Sequence, residues 1–180
     1  MMTRVADIDL DLSIDTLKSI RGDGVDRMAC FVLSRLARTE YERSLKILAE
    51  LPVSDQDQVR SAILLGYART HPDLAVSELR KHEGLLMDER LVRGLYSSWF
   101  RIDIAEAGSD LAGMSVPIIQ EVLGGSGDNG SSHLENVLRE SPDLGIELLD
   151  RLVLSTGNEK LVMQAARELG ARDDNIGEAW

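Results

Sequence analysis

Ser54 to Lys81 reads SDQDQVRSAILLGYARTHPDLAVSELRK, and its apolar spacing decides the fold class. Val59, Ala62, Ile63 and Gly66 recur at i, i+3, i+4 and i+7, which is one face of an α-helix. A short polar break follows. Pro72 then opens a second helical pattern, in the first turn where a missing N–H leaves no bond unmade. An acidic turn, a helix of small and apolar residues, a break and a second helix make one building block of about thirty residues.

The same outline recurs along the chain. It resumes in MDERLVRGLYSSWFRIDIAEAGSDLAG (Met87 to Gly113) with Asp88, Val92 and Arg93, and in GNEKLVMQAARELGARDD with Glu159, Val162 and Met163. Val59 to Val92 is thirty-three residues, and Val92 to Val162 is seventy, two blocks of thirty-five. SSHLENVLRESPDLGIELL occupies the register between them. Its Ser141-Pro142-Asp143-Leu144 echoes His71-Pro72-Asp73-Leu74 without the histidine. An earlier copy, Gly22 to Leu51, aligns its LART with the later YART at an offset of thirty-one. A fixed period of this length marks helical pairs that cannot bury their apolar faces alone and must stack on a neighbour.

Asp57, Val59 and Arg60 followed by Ala62, Leu65 and Gly66 resemble the second helix of a HEAT-like repeat, as do Asp88, Val92 and Arg93. Asn158, Val162, Ala165, Ala166, Leu169 and Gly170 keep that outline, with Met163 where the arginine would stand. The tetratricopeptide pattern is absent, since Leu65, Gly66 and Tyr67 are contiguous instead of spaced. The resemblance covers residues 23–170. It implies an all-α, single-domain α-solenoid of four to five helical pairs, with Asp and Arg near each turn bridging adjacent pairs. Residues 1–22 form a lead-in or cap on this reading, 23–171 the solenoid and 172–180 a C-terminal tail. The glycine-rich GGSGDNGSS, residues 124–132, is expected as a mobile loop. Helices are expected over 14–20, 25–38, 40–50, 55–70, 73–82, 88–101, 103–112, 115–123, 132–140, 143–155 and 158–170. Ser54, Asp88, Ser131 and Asn158 are the candidate N-caps.

Composition agrees with helix-on-helix packing. Hydrophobic residues are 43% and aromatics only 4%, so aliphatic side chains supply the core. DIDLDL near the start is the one alternating stretch, and it is short and acidic. No apolar run approaches the ~20 residues of a membrane span, and MMTRVADIDLDLSID lacks the apolar core of a signal peptide. Cys30, the single cysteine, reads as a small buried apolar group, and its solitude points to a cytoplasmic protein without disulfides.

The net charge of −11 is unevenly placed. Residues 1–101 carry sixteen acids against fifteen bases, and residues 102–180 carry fifteen acids against five bases. Such a field repels nucleic acid and anionic membranes and attracts a basic protein, although solubility alone can also favour it.

Catalytic patterns are missing. His71, His82 and His133 have no second His or Cys at metal-ligand spacing. His82-Glu83 is a single dipeptide, where HEAT-like hydroxylases bind a di-iron centre through several His-Glu pairs; a helix C-terminal histidine is the simpler reading. Ser97 and Ser98 lack a glycine elbow and a histidine at a readable triad spacing. No metal and no cofactor are therefore expected. Tyr96, Trp99 and Phe100 cluster in LYSSWFR, either as a core anchor or, through Tyr96 and Trp99, as a partner-binding hot spot. Trp180 either caps the last apolar face or docks into a partner. The expectation is a non-catalytic scaffold, adaptor or immunity protein. It would meet a basic protein through Glu135, Glu140, Asp143, Glu147 and Asp150. An enzyme on the same scaffold (a lyase or metal hydroxylase) and a subunit of a larger assembly are the alternatives.

Overall fold

The structure, a computed structural model, describes residues 10–19, 24–124 and 128–156. Among them are eleven α-helices and no strand, so the chain is all-α, as its aliphatic periodicity predicts. The helices fall into two compact units that divide between Met87 and Asp88.

The first unit holds α1 (Leu10–Ser19), α2 (Val25–Leu36), α3 (Tyr41–Glu50), α4 (Gln56–Tyr67), α5 (Pro72–Leu79) and the short α6 (Glu83–Leu86). On α2, Val25, Ala29, Val32, Leu33 and Leu36 are buried, a stripe at helical spacing that faces α1, α3 and α4. Val59, Ile63, Leu64 and Gly66 form the matching stripe of α4. Each fully buried Leu or Ile contributes roughly 1.5–3 kcal/mol, so these two stripes dominate the packing. The two helices run parallel: Asp26 faces Ser54, Cys30 faces Gln58, Ser34 faces Gly66 and Arg38 faces Thr70. At Gly66 the approach is main chain against main chain, because a Cβ there would fall on the Ser34 carbonyl.

Capping departs from expectation at one helix start. Asp26 accepts hydrogen bonds from the Ser54 hydroxyl, the Ser54 amide at 3.0 Å and the Asp55 amide at 3.1 Å. These bonds, those from Ser54 above all, hold the Asp26 carboxyl below its ordinary range. With Ser54 so engaged, Asp55 caps α4 and accepts from the Gln58 amide at 2.9 Å. His82 also differs from its expected place. It lies past the last turn of α5 as the N-cap of α6, with Nε2 3.3 Å from Arg60 Nη1.

One turn recurs three times. The amides of Thr39 and Glu40 both donate to the Leu36 carbonyl, those of Thr70 and His71 to Tyr67, and those of Ile102 and Asp103 to Trp99. In each case the next residue opens a helix. Leu36, Tyr67 and Trp99 are thirty-one and thirty-two residues apart, the offset at which LART and YART align in the sequence.

The second unit holds α7 (Glu89–Phe100), α8 (Ile104–Ala112), α9 (Val116–Gly124), α10 (Asp128–Glu140) and α11 (Pro142–Thr156). Asp88 caps α7 by accepting from the Arg90 and Leu91 amides, as expected, and Asp103 caps α8. Helix α10 touches all four others, and its buried Leu134, Val137 and Leu138 lie at the centre of the unit. Gly145 of α11 packs so tightly on Leu138 that a Cβ would meet its side chain.

The stretch 124–132 is not the long loop its composition suggests. Helix α9 runs to Gly124 and α10 begins at Asp128, so Ser131 is a helical residue and not an N-cap. Once Leu134 to Leu138 nucleate α10, each further residue adds a hydrogen bond at little cost, and small polar residues can extend the helix backward. Residues 125–127 lie outside the described residues, as do the expected helix over 158–170, the Asn158 cap and the tail over 172–180.

Candidate functional site

The aromatic cluster of α7 is packing material. Tyr96 is 0% exposed and Trp99 4%. The Tyr96 hydroxyl donates to Asp110 Oδ2 at 2.6 Å, and Trp99 Nε1 donates to Glu106 Oε2 at 3.4 Å. Both partners lie on α8, so the two rings join α7 to α8, with Phe100 on the neighbouring face. This burial puts Tyr96 and Trp99 in the core of the second unit and leaves no open ring face for a partner.

Behind them lies an arrangement that sequence spacing does not disclose. His133 of α10 is buried, stacks on Phe100 with ring centres 4.8 Å apart, and places Nε2 3.1 Å from Ser97 Oγ. Thirty-six residues separate serine from histidine, and no local pattern in either helix links them. Burial first, and the Arg101 charge second, push the imidazole below its ordinary value, so it is neutral near pH 7. A neutral imidazole on a serine hydroxyl is the first pair of a nucleophilic triad. Among the described residues no carboxylate orients the other ring nitrogen, and Phe100 covers one face of the imidazole. In this geometry the two polar groups satisfy each other beside an apolar ring contact.

The sign of the His133 shift predicts a pH effect. Unfolded histidine binds its proton near pH 6.5, and the folded form binds it less readily. The stability of the neutral, buried ring is complete above that value and is lost as pH falls below it. Melting temperature should drop between about pH 7 and about pH 5, and His133→Phe should flatten part of that drop. An identical pH slope in the two proteins would refute this assignment.

In the first unit, Tyr41 stacks on Tyr67 with ring centres 4.3 Å apart, and His71 continues the column 5.2 Å beyond Tyr67. They line a cleft of about 540 Å³ with Thr39, Glu40, Glu42, Arg43 and Lys46. Burial, then the Glu78 carboxylate, pushes the Tyr41 phenol up to about 12, so it stays protonated. Arg43 is committed to Asp11 at 2.8 Å and Glu40 at 3.1 Å, so part of the cleft's charge is already neutralised. Cys30 is half-buried, not fully enclosed as expected. Its thiol is pushed up by burial and by the Asp26 and Asp55 carboxylates, which keeps it a poor nucleophile.

The acidic surface is built on α10 and α11. Asp143, Glu147 and Asp150 stand at i, i+4 and i+7 on α11, all exposed, while Gly145, Leu148 and Leu152 face inward. Glu140 is exposed at the end of α10, and Glu135 is half-buried one turn earlier. No ion pair is formed by Glu140, Asp143, Glu147 or Asp150 among the described residues. Arg151, the neighbouring cation on α11, turns away and donates to the Met114 carbonyl at 3.0 Å. Trp180 lies outside the described residues.

Among the described residues no group of three or more His, Cys, Asp or Glu is arranged to hold a metal ion, and no helix is long and apolar enough to cross a membrane. In comparison with known proteins, no family model matches the chain, and no curated protein and no solved structure matches it.

Proposed function

We propose that this protein is a non-catalytic binding module whose acidic second half meets a basic protein partner. The observation that carries the reading is the α11 stripe, Asp143, Glu147 and Asp150, three exposed carboxylates on one face without an internal cation. Carboxylates kept for solubility need no common face. A row at helical spacing presents a continuous negative strip about 10 Å long, from the 1.5 Å rise per residue. Such a strip steers a positively charged surface and raises its association rate.

We further infer that the scaffold is a short HEAT-like array of helical pairs. The parallel packing of α2 on α4 and the three equivalent turns at Leu36, Tyr67 and Trp99 support that inference. In an array each pair presents the same faces, which is how a small helical protein extends a binding surface without a large core.

The test is association with a captured and purified partner at rising salt. Screening shortens from about 10 Å at 0.1 M to about 3 Å at 1 M, so the on-rate should fall steeply over that range. The Asp143→Asn/Glu147→Gln/Asp150→Asn variant should lose about tenfold in on-rate at low salt while keeping its melting temperature. A partner of acidic or neutral charge, or a rate that ignores salt, would sink the proposal.

A further inference from the structure

The two ART turns of the first unit bring together three arginines that have no acidic partner among the described residues. Arg35 lies in the last turn of α2, and Arg38 follows the Ala37 C-cap in the turn, its amide donating to the Arg35 carbonyl at 3.3 Å. Arg69 occupies the same place at the end of α4 that Arg38 does at the end of α2. The turns are joined directly, since Thr70 Oγ1 donates to the Arg38 carbonyl at 2.8 Å. Among the described residues, none of Arg35, Arg38 and Arg69 forms an ion pair, and Arg38 Nε is buried without a hydrogen-bond partner. We propose that Arg35, Arg38 and Arg69 form a binding site for a phosphate group, either free in solution or carried on a lipid headgroup.

Several physical facts support the assignment. Burial, and then the Arg69 and Arg35 charges, push the Arg38 guanidinium down, with no carboxylate acting on it. Like charges crowd here, and among the described residues no carboxylate pairs with them. The nearest acid in the chain, Glu40, is committed to Arg43. The ends of α2 and α4 contribute about half a negative charge each, which holds the arginines in place. Set against three full guanidinium charges, that leaves a net positive charge of roughly two. A carboxylate would neutralise only half of it. A phosphate monoester carries about −1.5 to −2 with three acceptor oxygens, and it matches both the charge and the paired N–H forks of arginine. The site lies in the first unit and does not depend on the acidic stripe of α11.

The experiment uses the full chain and two probes. Calorimetric titration with inorganic pyrophosphate, at constant ionic strength set by chloride, tests the free anion. Flotation with phosphatidylcholine vesicles, with and without phosphatidic acid, tests the headgroup. Arg69→Gln is the first variant, because Arg69 is exposed and its replacement leaves the core intact. It should weaken whichever probe binds by roughly tenfold, and Arg38→Gln by at least as much. Arg38→Lys keeps the charge but not the fork and should recover part of the loss. Arg27→Gln, an exposed arginine near the other end of α2, should bind as the parent does. Binding of pyrophosphate assigns the free anion, and binding of the acidic vesicles alone assigns the headgroup. No binding of either probe, or binding by Arg69→Gln and Arg38→Gln as tight as the parent's, overturns the proposal.

Discussion

Gly66→Ala is expected to destabilise the first unit by about 3 kcal/mol or more, near the upper end of overpacking costs. The added methyl would meet the carbonyl oxygen, carbonyl carbon and Cα of Ser34, all of them backbone. A clash with a flexible side chain can be relieved by a rotamer change, but main-chain atoms inside α2 cannot shift without breaking the helix. The urea midpoint should fall with an unchanged m-value, and amide exchange should quicken in α2 and α4. Ser34→Gly added to Gly66→Ala should give no rescue, since the obstructing atoms remain. Gly84→Ala is the control: nothing lies within 4 Å of a Cβ there, and its effect should stay within about 0.5 kcal/mol. Gly66→Ala matching Gly84→Ala in stability would show that α2 and α4 do not touch as described.

Tyr96→Ala should cost about 3–5 kcal/mol, the range for removing a fully buried aromatic side chain. Tyr96 is the largest of the fully buried side chains and links α7 to Asp110 on α8. Tyr96→Phe keeps the ring and loses the hydroxyl, so its cost should be about 1.5–3 kcal/mol, the net worth of a hydrogen bond to a charged carboxylate. The ratio of the two separates packing from polar contact. It also tests the alternative reading of Tyr96 as a partner-binding residue. A surface hot spot would leave stability within about 0.5 kcal/mol and change only binding. Denaturation midpoints of the two variants decide between them.

Much of the helical layout is legible in the sequence. The expected helices over 25–38, 40–50, 88–101 and 103–112 correspond to α2, α3, α7 and α8 with shifts of two residues or fewer at each end. Asp88 caps the helix it was expected to cap, and Pro72 and Pro142 sit in first helical turns. These features act within one turn of the chain, so the residues that cause them are adjacent in sequence. Misreadings arise where a distant contact competes with a local one. Ser54 looks like an N-cap, yet Asp26 on another helix claims its hydroxyl and amide. Residues 128–132 look like a loop by composition, yet the buried stripe of α10 carries the helix through them. The acidic stripe was readable because Asp143, Glu147 and Asp150 lie opposite Leu148 and Leu152 on one amphipathic helix. Tyr96 and Trp99 could be placed in a core or on a surface from spacing alone, and only the packing of α8 decides.

By itself the sequence determined an all-helical chain, the offset of about thirty-one residues between equivalent turns, and a second half dominated by acid. Periodicity, capping and charge are properties of short stretches, and they survive without knowledge of neighbours. Tertiary structure alone decided that Ser97 meets His133, that Asp26 organises the start of α4, and that the Thr70 hydroxyl reaches the Arg38 carbonyl. Contacts of that kind join residues some thirty positions apart, and they exist only once two helices have chosen which faces to bury against each other.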